Sequence, residues 1–532
     1  MAPKLCLSII VISLSTVLLT STHAGNILMV PLVGEGSHYT VMLSIARELT
    51  HRQHNVTMLV SRLHEHKLTT STDSAKTDIH YVFFRSVLQE VAHQFLFVDM
   101  QKAGKHREWI LDVIQGTESS QQKVQECNYL FQNIELLKTL QNSNYDLIIV
   151  DSYFNCPIVQ YLSHTRTIPY IVVSAVPTIS TVPSLVNRFP HYPSYMPELT
   201  SALSDQMSFF DRLTNVATSI LFIVLFSLIN SPYEEIRTRH DIISDTSAYY
   251  SDAELFLVNT HFVLDYPRPL LPNTIAVGGL TTRPNKTLHE EWIDFLESAG
   301  EDGVVLFSMG SYATGIDEDV AGLFAGAFAQ LPQKVIWKLN GKPSATLTPN
   351  VKVVDWIPQN DLLGHPQIKA FVYHCGVNGV WEAVYHGVPM VAVPLFGDQY
   401  DNAQRLVSRG MAVKVDISTL TSDELAQAIR TVIKDPSYKN NATRISAIFR
   451  DSPRTPPEVA VDWIEYVIRH GGAKHLRSAA LDLNIFQYLL LDVIAVLLLA
   501  FITLMIILYC SCRLCFRGCR RLCGGSNKVK SE

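Results

Sequence analysis

The sequence predicts an α/β protein with two domains in tandem, each built on a parallel sheet, and one transmembrane helix near the C-terminus. Three observations lead to this prediction. Short apolar segments alternate with segments of helical periodicity through most of the chain. A stretch rich in Pro and Gly, residues 265–287, separates two such regions. Residues 493–512 carry no charge and are long enough to cross a bilayer as a helix.

Length and composition agree with this class of protein. The chain has 532 residues, more than a single hydrophobic core normally organises, so we expect two or three domains. Hydrophobic residues make up 47% of the chain and charged residues 17%, an apolar bias that points to membrane segments. The formal net charge of -6 gives no reason to expect a nucleic-acid partner.

The N-terminus explains part of the apolar bias. Lys4 precedes an apolar stretch at residues 5–19, and the small residues Thr22 and Ala24 precede Gly25. This pattern indicates a secretory signal peptide, residues 1–24, with cleavage after Ala24. An uncleaved membrane anchor is the alternative, but the apolar stretch is short and no stop-transfer pattern follows it.

The predicted first domain, residues 25–282, is built from βα units. We place strands at residues 25–33, 55–61, 145–151 and 169–175, and helices at 39–53 and 156–165. Residues 69–141 are less regular and more helical, and residues 177–197 form a long loop. The apolar segment 213–229 is interrupted by Thr, Asn and Ser and is marginally short for a span, so we expect a buried or membrane-surface helix there.

The predicted second domain, residues 283–483, repeats the βα pattern more regularly. We place strands at residues 303–310, 334–339, 351–356, 368–374, 390–397 and 412–416, and helices near 319–331 and from 378, 400 and 422. The strands are apolar on both faces. Continuous apolar strands that alternate with helices indicate a parallel sheet covered on both sides.

The C-terminus explains the rest of the apolar bias. A membrane-entry segment and transmembrane helix, residues 484–512, leads into a tail, residues 513–532, with six Lys or Arg and the single acidic residue Glu532. The positive-inside rule places this tail in the cytosol and the body of the protein in a lumen or outside the cell. Five cysteines near the inner membrane face are either acylated or free thiols: Cys510, Cys512, Cys515, Cys519 and Cys523.

Sequons and cysteines bear on the compartment of the body. Asn55, Asn285 and Asn441 stand in glycosylation sequons, which are compatible with a luminal body. After signal removal the body retains three cysteines, at positions 127, 156 and 375. We expect three cysteines to build no disulfide framework, and none has the spacing of a metal site.

Polar residues stand where the predicted strands end. In an open parallel sheet, ligands bind beyond the carboxyl ends of the strands. In the first domain these ends carry the turn with His38 and, later, Asp151. In the second domain they carry residues 308–311, Trp356, His374 and residues 398–399. We therefore expect these groups to face one crevice.

The segment from His374 to Glu382 has the features of a nucleotide site. Backbone N–H groups at a helix N-terminus bind phosphate well, and Gly376 and Gly379 permit close approach. His374 and Asn378 can donate hydrogen bonds to the same anion, and Glu382 can accept them from ribose hydroxyls. The chain has neither a G-x-G-x-x-G fingerprint after its first strand nor a P-loop, so a dinucleotide site is not expected.

The longest motifs resemble those of the UDP-glycosyltransferase superfamily, most of all the animal UDP-glucuronosyltransferases. They are WIPQNDLLGHP at residues 356–366, HCGVNGVWEAVYHGVPMVAVPLFGDQYDN at 374–402, and YPRPLLPN with VGGL at 266–273 and 277–280. Residues 467–494, which lead into the membrane segment, resemble the same enzymes. The resemblance covers nearly the whole chain and is weakest at 69–141 and 177–229. It implies the GT-B fold, in which two Rossmann-like domains face each other, the first binding the acceptor and the second the nucleotide sugar.

The resemblance implies a role for each residue that matches a family motif. The donor-binding residues would be Ser308, Gly310, Trp356, Gln359, His374, Gly376, Asn378, Gly379, Glu382, Asp398 and Gln399. Of these, His374, Asn378 and Gly379 would hold the diphosphate together with the loop at Ser308. Trp356 would stack on uracil.

The other donor contacts follow in the same way. Gln359 would bind the uridine portion, Glu382 the ribose, and Asp398 and Gln399 the hydroxyls of the sugar. Tyr373 departs from the family pattern, which usually has Thr or Ser at this position, and its role is left open.

The reaction implied by the resemblance needs a base. A histidine can take the proton of an acceptor hydroxyl, and a carboxylate on its far nitrogen orients the ring and stabilises the imidazolium. His38 and Asp151 match the pair that the family uses. Attack opposite the departing UDP would invert the sugar carbon, and the helix N-terminus with His374 would stabilise the diphosphate. We expect no cofactor and no metal, because the UDP-sugar is a co-substrate.

The predicted function is the transfer of glucuronic acid from UDP-glucuronate to small lipophilic acceptors at the endoplasmic reticulum membrane. Lys528 and Lys530 resemble a lysine-based retrieval signal, and relatives suggest homo- or heterodimers. One alternative keeps the fold and uses UDP-glucose, UDP-galactose or UDP-N-acetylglucosamine. Another is a catalytically silent, membrane-anchored binding or regulatory partner, against which the presence of both His38 and Asp151 argues.

Overall fold

The computed structural model describes residues 24–31, 36–70, 78–85, 123–154, 156–177, 181–243, 248–310, 318–339 and 347–523. The predicted signal peptide up to residue 23, much of the irregular region 69–141 and the tail from 524 onward lie outside these residues. The chain forms two compact units, Met1–Leu476 and Arg477–Glu532. The first unit contains both sheets.

Among the described residues the first sheet has seven parallel strands, in the order β3-β2-β1-β4-β5-β6-β7. The strands are β1 Asn26–Val30, β2 Asn55–Ser61, β3 Ile79–Phe84, β4 Leu147–Asp151, β5 Tyr170–Ser174, β6 Leu255–Val258 and β7 Thr274–Ala276. The helices of this part are α1 Gly36–His51, α2 Glu65–Thr70, α3 Ile134–Asn142, α4 Ile158–Arg166, α5 Thr181–Asn187, α6 Phe209–Arg239 and α7 Ala248–Ser251. Residues 123–132 are also helical, and residue 133 separates them from α3.

The second sheet has six parallel strands in the part of the chain that the structure describes, in the order β10-β9-β8-β11-β12-β13. The strands are β8 Val304–Ser308, β9 Lys334–Lys338, β10 Val351–Val354, β11 Ile368–Tyr373, β12 Met390–Ala392 and β13 Ala412–Lys414. The helices are α8 Glu290–Glu297, α9 Glu318–Phe328, α10 Gln359–Leu363, α11 Val377–His386, α12 Gln399–Ser408, α13 Ser422–Lys434, α14 Pro436–Arg450 and α15 Pro456–His470.

The strands are apolar on both faces because each sheet lies between two layers of helices. In β1, Ile27 and Met29 pack into the core on the α1 side, whereas Leu28 and Val30 pack into the core on the other face. Successive strand residues point to opposite faces, so a strand buried on both sides needs apolar residues throughout. The predicted pair of parallel α/β sheets is confirmed.

The strand order reverses direction at one place in each sheet. In the first sheet the reversal lies between β1 and β4, and in the second between β8 and β11. In the first sheet, α1 after β1 and α4 after β4 pack on opposite faces, and a reversal of this kind opens a crevice at the carboxyl edge of the strands. Asp151 and Ser308 end β4 and β8, and His38 and His374 follow β1 and β11. All four therefore lie at such a crevice.

Helix α15 returns to the first domain although its residues fall in the predicted range of the second. Its apolar residues, among them Val461 and Ile464, share a core with α1 and the first sheet. Arg52 at the end of α1 binds Asp462, with Nη1 and Oδ1 2.7 Å apart, and also contacts Glu465. The domain boundary at 282/283 stays a prediction. After α14 the chain returns to the first domain, where α15 packs.

Helix α6 is longer than the predicted apolar segment and lies on the surface of the body. It has 31 residues and is long and apolar enough to span a membrane. However, β5 before it and β6 after it are paired neighbours in one sheet, from Ile171 with Leu255 to Ser174 with Val258. A spanning helix would put these strands on opposite sides of the membrane, so α6 does not cross it.

The polarity of α6 is inverted. Its buried side carries Asn215 and Ser219, which hydrogen-bond to the segment containing Glu198. Its outward side carries apolar residues, including Leu213, Ile220 and Leu228, which are 57%, 58% and 62% exposed. This part of α6 therefore does not contribute to a core in the usual way, whereas Tyr233 and Ile236 near the end of the helix are buried in the core on one face of the first sheet. The prediction left a buried and a membrane-surface helix open, and the exposure of the apolar residues within 213–229 favours the membrane-surface helix.

A disulfide joins Cys127 to Cys156, with Cα atoms 5.5 Å apart. The sequence predicted no disulfide framework, and this single bond between two of the three body cysteines was not predicted. The two cysteines are 29 residues apart in the chain, and pairing of this kind depends on tertiary proximity that spacing does not show. The bond ties the helical segment at 123–132 to the residues that follow β4. Cys375, the third body cysteine, is a buried thiol.

The second unit contains α16 Ile485–Tyr488 and α17 Leu491–Cys523. The side chains of α17 are exposed, and by length and composition the helix is a candidate membrane span. It includes the charge-free residues 493–512 and continues through the first basic residues of the predicted tail.

Candidate active site

His38 and Asp151 form a hydrogen-bonded pair at the first switch point. His38 lies in the first turn of α1 and Asp151 ends β4, and Nδ1 of His38 is 2.7 Å from Oδ2 of Asp151. Asp151 is fully buried, and its other oxygen accepts the backbone N–H of Tyr153 at 2.8 Å. The ring of Tyr153 stands edge-on to His38. These contacts hold the carboxylate and the imidazole in one orientation.

The pairing defines the chemistry of His38. Burial lowers the pKa of His38, but the charge and the hydrogen bond of Asp151 outweigh it, so the pKa is raised above its ordinary value. If Nδ1 donates to Asp151, then Nε2 carries the lone pair and can take a proton. The side chain of His38 remains 20% exposed, so a substrate hydroxyl can reach it.

The second domain meets this pair across the crevice. The Nδ2 atom of Asn378 in α11 donates to the backbone carbonyl of Ser37 at 3.3 Å. The charge of Asp398 raises the pKa of His38, and His38 in turn lowers that of Asp398. Asp398 is therefore close to the base, although burial gives its own pKa a net rise.

The loop after β8 and the turn after β11 fit closely together. Gly310 has a φ of +83°, and a Cβ atom there would collide with the ring of His374. A Cβ atom at Gly376 would collide with the same ring. Gly376 is also the N-cap of α11 and provides no side-chain cap, so the N–H groups of the first turn are left to a ligand. Ser308 precedes Gly310 and hydrogen-bonds to its N–H at 3.3 Å.

Lys338 joins this group and is not among the residues that the motifs predict. It ends β9, and its Nζ donates to the carbonyl of Gly310 at 2.7 Å. Burial, together with the charge of Lys338, lowers the pKa of His374 to about 3, so His374 is neutral and donates from one nitrogen only. Its Nδ1 has no hydrogen-bond partner among the described residues. Only the place of Lys338 at the end of an apolar strand could have indicated it.

Trp356, Gln359 and Glu382 are the residues predicted to bind the nucleoside. Trp356 follows β10 and is 75% exposed, so its ring face is available for stacking. Gln359 begins α10, and its Nε2 donates to Oε2 of Glu382 at 2.6 Å. Burial raises the pKa of Glu382 to about 7, and the Gln359 hydrogen bond opposes that rise.

Asp398 and Gln399 mark the start of α12 and differ in their surroundings. Oδ2 of Asp398 accepts from Nδ2 of Asn402 at 2.8 Å, and the carboxylate lies near enough to His38 for the charge of each to shift the pKa of the other. Gln399 is buried, and its carbonyl oxygen accepts the N–H groups of Leu395 and Phe396 at 2.9 and 3.2 Å. Gln399 therefore braces the turn before α12 and has only its amide NH₂ left for a sugar.

The structure brings all predicted site residues to the facing carboxyl edges of the two sheets. Their individual roles remain predictions, as does chemistry without a metal. Within the ranges that the structure describes, no three His, Cys, Asp or Glu side chains are grouped so that they could hold a metal ion. Of the sequon residues, Asn55 and Asn285 are exposed, whereas Asn441 lies within α14 and donates to the carbonyl of Gly410.

Solved structures with the same architecture are glycosyltransferases by title. The chain matches the glycotransferase of kitacinnamycin with a TM-score of 0.58 and 22% identity, over 84% of this chain and 100% of that chain. It matches CalG4, the calicheamicin glycosyltransferase, with a TM-score of 0.55 and 18% identity, over 84% and 99%. The two facing α/β domains are thus the GT-B fold of glycosyltransferases.

Sequence comparison narrows this class. The family model for UDP-glucoronosyl and UDP-glucosyl transferases matches residues 25–525. The chain is 38% identical over 524 residues to UDP-glucuronosyltransferase 2A2 of Homo sapiens, covering 96% of this chain and 95% of that protein. It is 39% identical over 502 residues to UDP-glucuronosyltransferase 2A1 of Rattus norvegicus, covering 92% and 94%. The chain belongs to the UDP-glucuronosyl and UDP-glucosyl transferase family and is an enzyme that uses a UDP-sugar.

Proposed function

We propose that this enzyme transfers glucuronic acid from UDP-glucuronate to a hydroxyl group of small lipophilic acceptors. The observation that carries the proposal is the His38–Asp151 pair, which faces Asp398 and the donor loops across the crevice. A base, an orienting carboxylate and a sugar-binding edge are then within reach of one reacting carbon.

The reaction proceeds in one displacement. The acceptor oxygen attacks C1 of the sugar while its proton passes to Nε2 of His38, and the bond from C1 to the β-phosphate oxygen breaks with its electron pair on UDP. Asp151 stabilises the imidazolium that forms, through the 2.7 Å hydrogen bond to Nδ1. Because attack comes from the side opposite to UDP, C1 inverts and the product is a β-glucuronide.

The departing UDP gains negative charge at its β-phosphate. The N–H groups at the start of α11 and the neutral His374 can donate to these oxygens, and the helix dipole favours negative charge there. Lys338 brings a positive charge to the same place, next to the carbonyl of Gly310. These groups supply the electrostatic stabilisation that the leaving group requires.

The choice of glucuronate rests on the names of the relatives, which are UDP-glucuronosyltransferases. One observation keeps UDP-glucose and related neutral sugars as a second candidate. Arg405, the buried cation of α12, is already paired with Asp265 at 2.9 Å and hydrogen-bonds to Asn402. A glucuronate carboxylate would need a cation that is not committed in this way.

The inverted helix α6 suggests how lipophilic acceptors arrive. Its exposed apolar side would lie against the bilayer surface, held there by polar contacts on its inner side such as Asn215 with the Glu198 N–H at 2.7 Å. Acceptors dissolved in the membrane would then enter the first domain from the lipid. Replacing Leu213, Ile220 and Leu228 by Ser should release the α17-truncated body from liposomes; unchanged liposome binding would contradict this route.

We place the body in the lumen of the endoplasmic reticulum, with the tail in the cytosol. The Cys127–Cys156 disulfide supports an oxidising compartment for the body. The predicted retrieval lysines support the particular membrane. Protease protection of the body in sealed microsomes tests the orientation.

A donor panel tests the proposed reaction. Turnover of one phenol is measured with UDP-glucuronate, UDP-glucose, UDP-galactose and UDP-N-acetylglucosamine; faster glucose than glucuronate transfer would overturn the choice of sugar. His38→Ala should lower kcat by about 10²–10⁴-fold, the usual contribution of a general base. His164→Ala is the matched control, because this exposed His also neighbours an acid, Asp252 at 4.0 Å, but on the surface. Undiminished transfer by His38→Ala would overturn the base assignment.

A further inference from the structure

Asp401 joins the second domain to the first, close to the proposed sugar site. It lies in the first turn of α12, and its side chain is buried. Its Oδ2 accepts the backbone N–H of Thr200 at 2.6 Å, and its Oδ1 accepts that of Ala202 at 2.9 Å. Thr200 and Ala202 belong to the first domain, in the loop between α5 and α6. Both oxygens of one carboxylate therefore hold the backbone of the facing domain.

The loop at Thr200 and Ala202 has a backbone suited to this contact. Thr200 has a φ of +65° and Ala202 a φ of +54°, both in the left-handed region. Neither residue is a glycine, so both conformations are unfavourable in isolation. They direct two N–H groups towards one carboxylate, as in backbone sites that bind anions. The hydrogen bonds to Asp401 offset the unfavourable backbone.

The next residue of α12 fixes the proposed sugar-binding carboxylate to its own domain. Nδ2 of Asn402 donates to Oδ2 of Asp398 at 2.8 Å and to the backbone carbonyl of Cys375, after β11, at 3.0 Å. Asp398 therefore moves with the second domain, whereas Asp401, one turn along the helix, holds the first. A shift between the domains at this point would move Asp398 relative to His38.

The other end of α12 has separate contacts with the first domain. Arg405 pairs with Asp265 at 2.9 Å, and Nη2 of Arg409 donates to the backbone carbonyl of Asp265 at 2.6 Å. These contacts do not involve Asp401. Without the Asp401 carboxylate, the domains would stay attached at the end of α12 and could separate at its start, where the sugar is expected.

We propose that Asp401 is a positioning residue for the transfer step: by holding the loop at Thr200 and Ala202, it aligns the sugar at the start of α12 with the base of the first domain. It acts through the domain contact and does not touch a substrate, because backbone N–H groups occupy both its oxygens. The proposal rests on the proposed function, in which Asp398 and Gln399 bind the sugar and His38 is the base.

This role predicts that catalysis and nucleotide binding respond differently to loss of the contact. The groups proposed to bind UDP lie in the second domain, on α10 and α11 and at the ends of β8, β9 and β10. A shift between the domains leaves these groups in place relative to one another. It moves the reacting sugar carbon away from Nε2 of His38, and a displacement of about 1 Å can lower a rate by about 100-fold.

The test compares kcat, the donor KM and the Kd for UDP in the full-length enzyme. Burial raises the pKa of Asp401 to about 6, so the assay is run at about pH 8, where the side chain is a carboxylate. Asp401→Asn keeps the shape of the side chain but places an NH₂ group against one of the two backbone N–H groups. We expect kcat with UDP-glucuronate and a phenol to fall by about 10-fold to 100-fold. The donor KM and the Kd for UDP should stay within about twofold, because Asp401 lies outside the proposed nucleotide site.

A variant of the first domain breaks the same contact without changing α12. Ala202→Pro removes the N–H group that Oδ1 of Asp401 accepts, and proline cannot adopt the positive φ of this position. We expect the same fall in kcat with unchanged UDP binding. The double variant should lose no more activity than the more affected single variant, since both changes break one contact.

Asp416→Asn is the matched control. Oδ1 of Asp416 also accepts a backbone N–H, that of Ser418 at 3.0 Å, but both residues belong to the second domain. This variant should keep the kcat of the wild type.

The outcomes separate a positioning role from a structural one. Wild-type kcat in Asp401→Asn and Ala202→Pro, a rise in the Kd for UDP that accompanies the loss of kcat, or additive losses in the double variant would each overturn the proposal. If Asp401→Asn yields no folded enzyme, Ala202→Pro decides. A wild-type enzyme that transfers no sugar from UDP-glucuronate would instead refute the proposed function.

Discussion

Asp151→Asn should separate the two functions of the carboxylate that faces His38. The substitution keeps the shape of the side chain and leaves an oxygen that can still accept the Tyr153 N–H. It removes the charge 2.7 Å from Nδ1 of His38. A hydrogen bond between charged groups is worth about 1.5–3 kcal/mol. At 1.36 kcal/mol per factor of ten, kcat should fall by about 10-fold to 150-fold.

The fall is larger if the new amide turns its NH₂ group towards Nδ1. The imidazole would then carry its proton on Nε2 and could not act as the base. A loss of about 10⁴-fold would indicate this tautomer change, because it is the upper limit for a lost general base. A loss within the smaller range would indicate that only the stabilisation of the imidazolium is gone.

The pH profile gives an independent readout. His38 is active as a base in its neutral form, so kcat rises with pH through its pKa. In the wild type, burial lowers this pKa from the ordinary value of 6.5 and Asp151 raises it above that value. Without the charge of Asp151, the effect of burial is opposed only by more distant charges such as Asp398. The acid limb should therefore move to lower pH while the plateau falls.

The assay is the initial rate of UDP release with a phenol and saturating UDP-glucuronate, between pH 5 and 9. Asp252→Asn is the matched control, because Asp252 also stands beside a histidine, His164, at 4.0 Å, but both are on the surface. It should leave rate and profile unchanged. If Asp151→Asn had a kcat within twofold of wild type and an unmoved acid limb, the proposal that Asp151 supports His38 as the general base would be refuted.

Three further outcomes follow from contacts elsewhere in the body. Lys338→Met should lower kcat about tenfold to a hundredfold by removing a charge-assisted contact to the diphosphate, and Lys338→Arg should retain most activity; equal rates for the two variants would contradict this. Arg405→Met removes the nearer of the two cations that contact the buried carboxylate of Asp265, which keeps Arg268 at 3.4 Å, and should destabilise the chain by up to about 3–5 kcal/mol; an unchanged Tm in detergent would show that the Arg405 pair is dispensable. Replacing Cys127 and Cys156 by Ser opens a 29-residue loop and should cost about 3–4 kcal/mol, measured as a lower Tm than that of the oxidised wild type.

Most of the candidate site was predictable because its residues stand at the ends of apolar strands. Ser308 ends such a strand, and His374 and Asp398 follow one and lie within a motif. Lys338 stands at a strand end without a motif and was not predicted. For Tyr373 the motif indicated a departure, but the packing of its ring under the first turn of α11 depends on how β11 lies beneath that helix.

In the fold, too, local features were predicted from the sequence and long-range contacts were not. Most strands were predicted close to their observed bounds, since β-branched apolar runs depend on near neighbours in the chain, but β3, β6 and β7 were not predicted. The disulfide was missed, and the polarity of α6 was misjudged as compatible with burial. Both depend on which surfaces meet. The sequence pattern of an apolar helix is the same whether its apolar side packs against protein or against lipid.

The sequence by itself determined the two α/β domains, the terminal apolar segments and the chemical groups at the carboxyl ends of the strands. The tertiary structure alone decided which strands are neighbours. β1 lies beside β4, which brings His38 to Asp151 across 113 residues of chain, and β5 lies beside β6, which keeps both ends of α6 on one side of the membrane. Strand order is a property of long-range packing between faces that are all apolar, and such faces carry little information about which partner each will take.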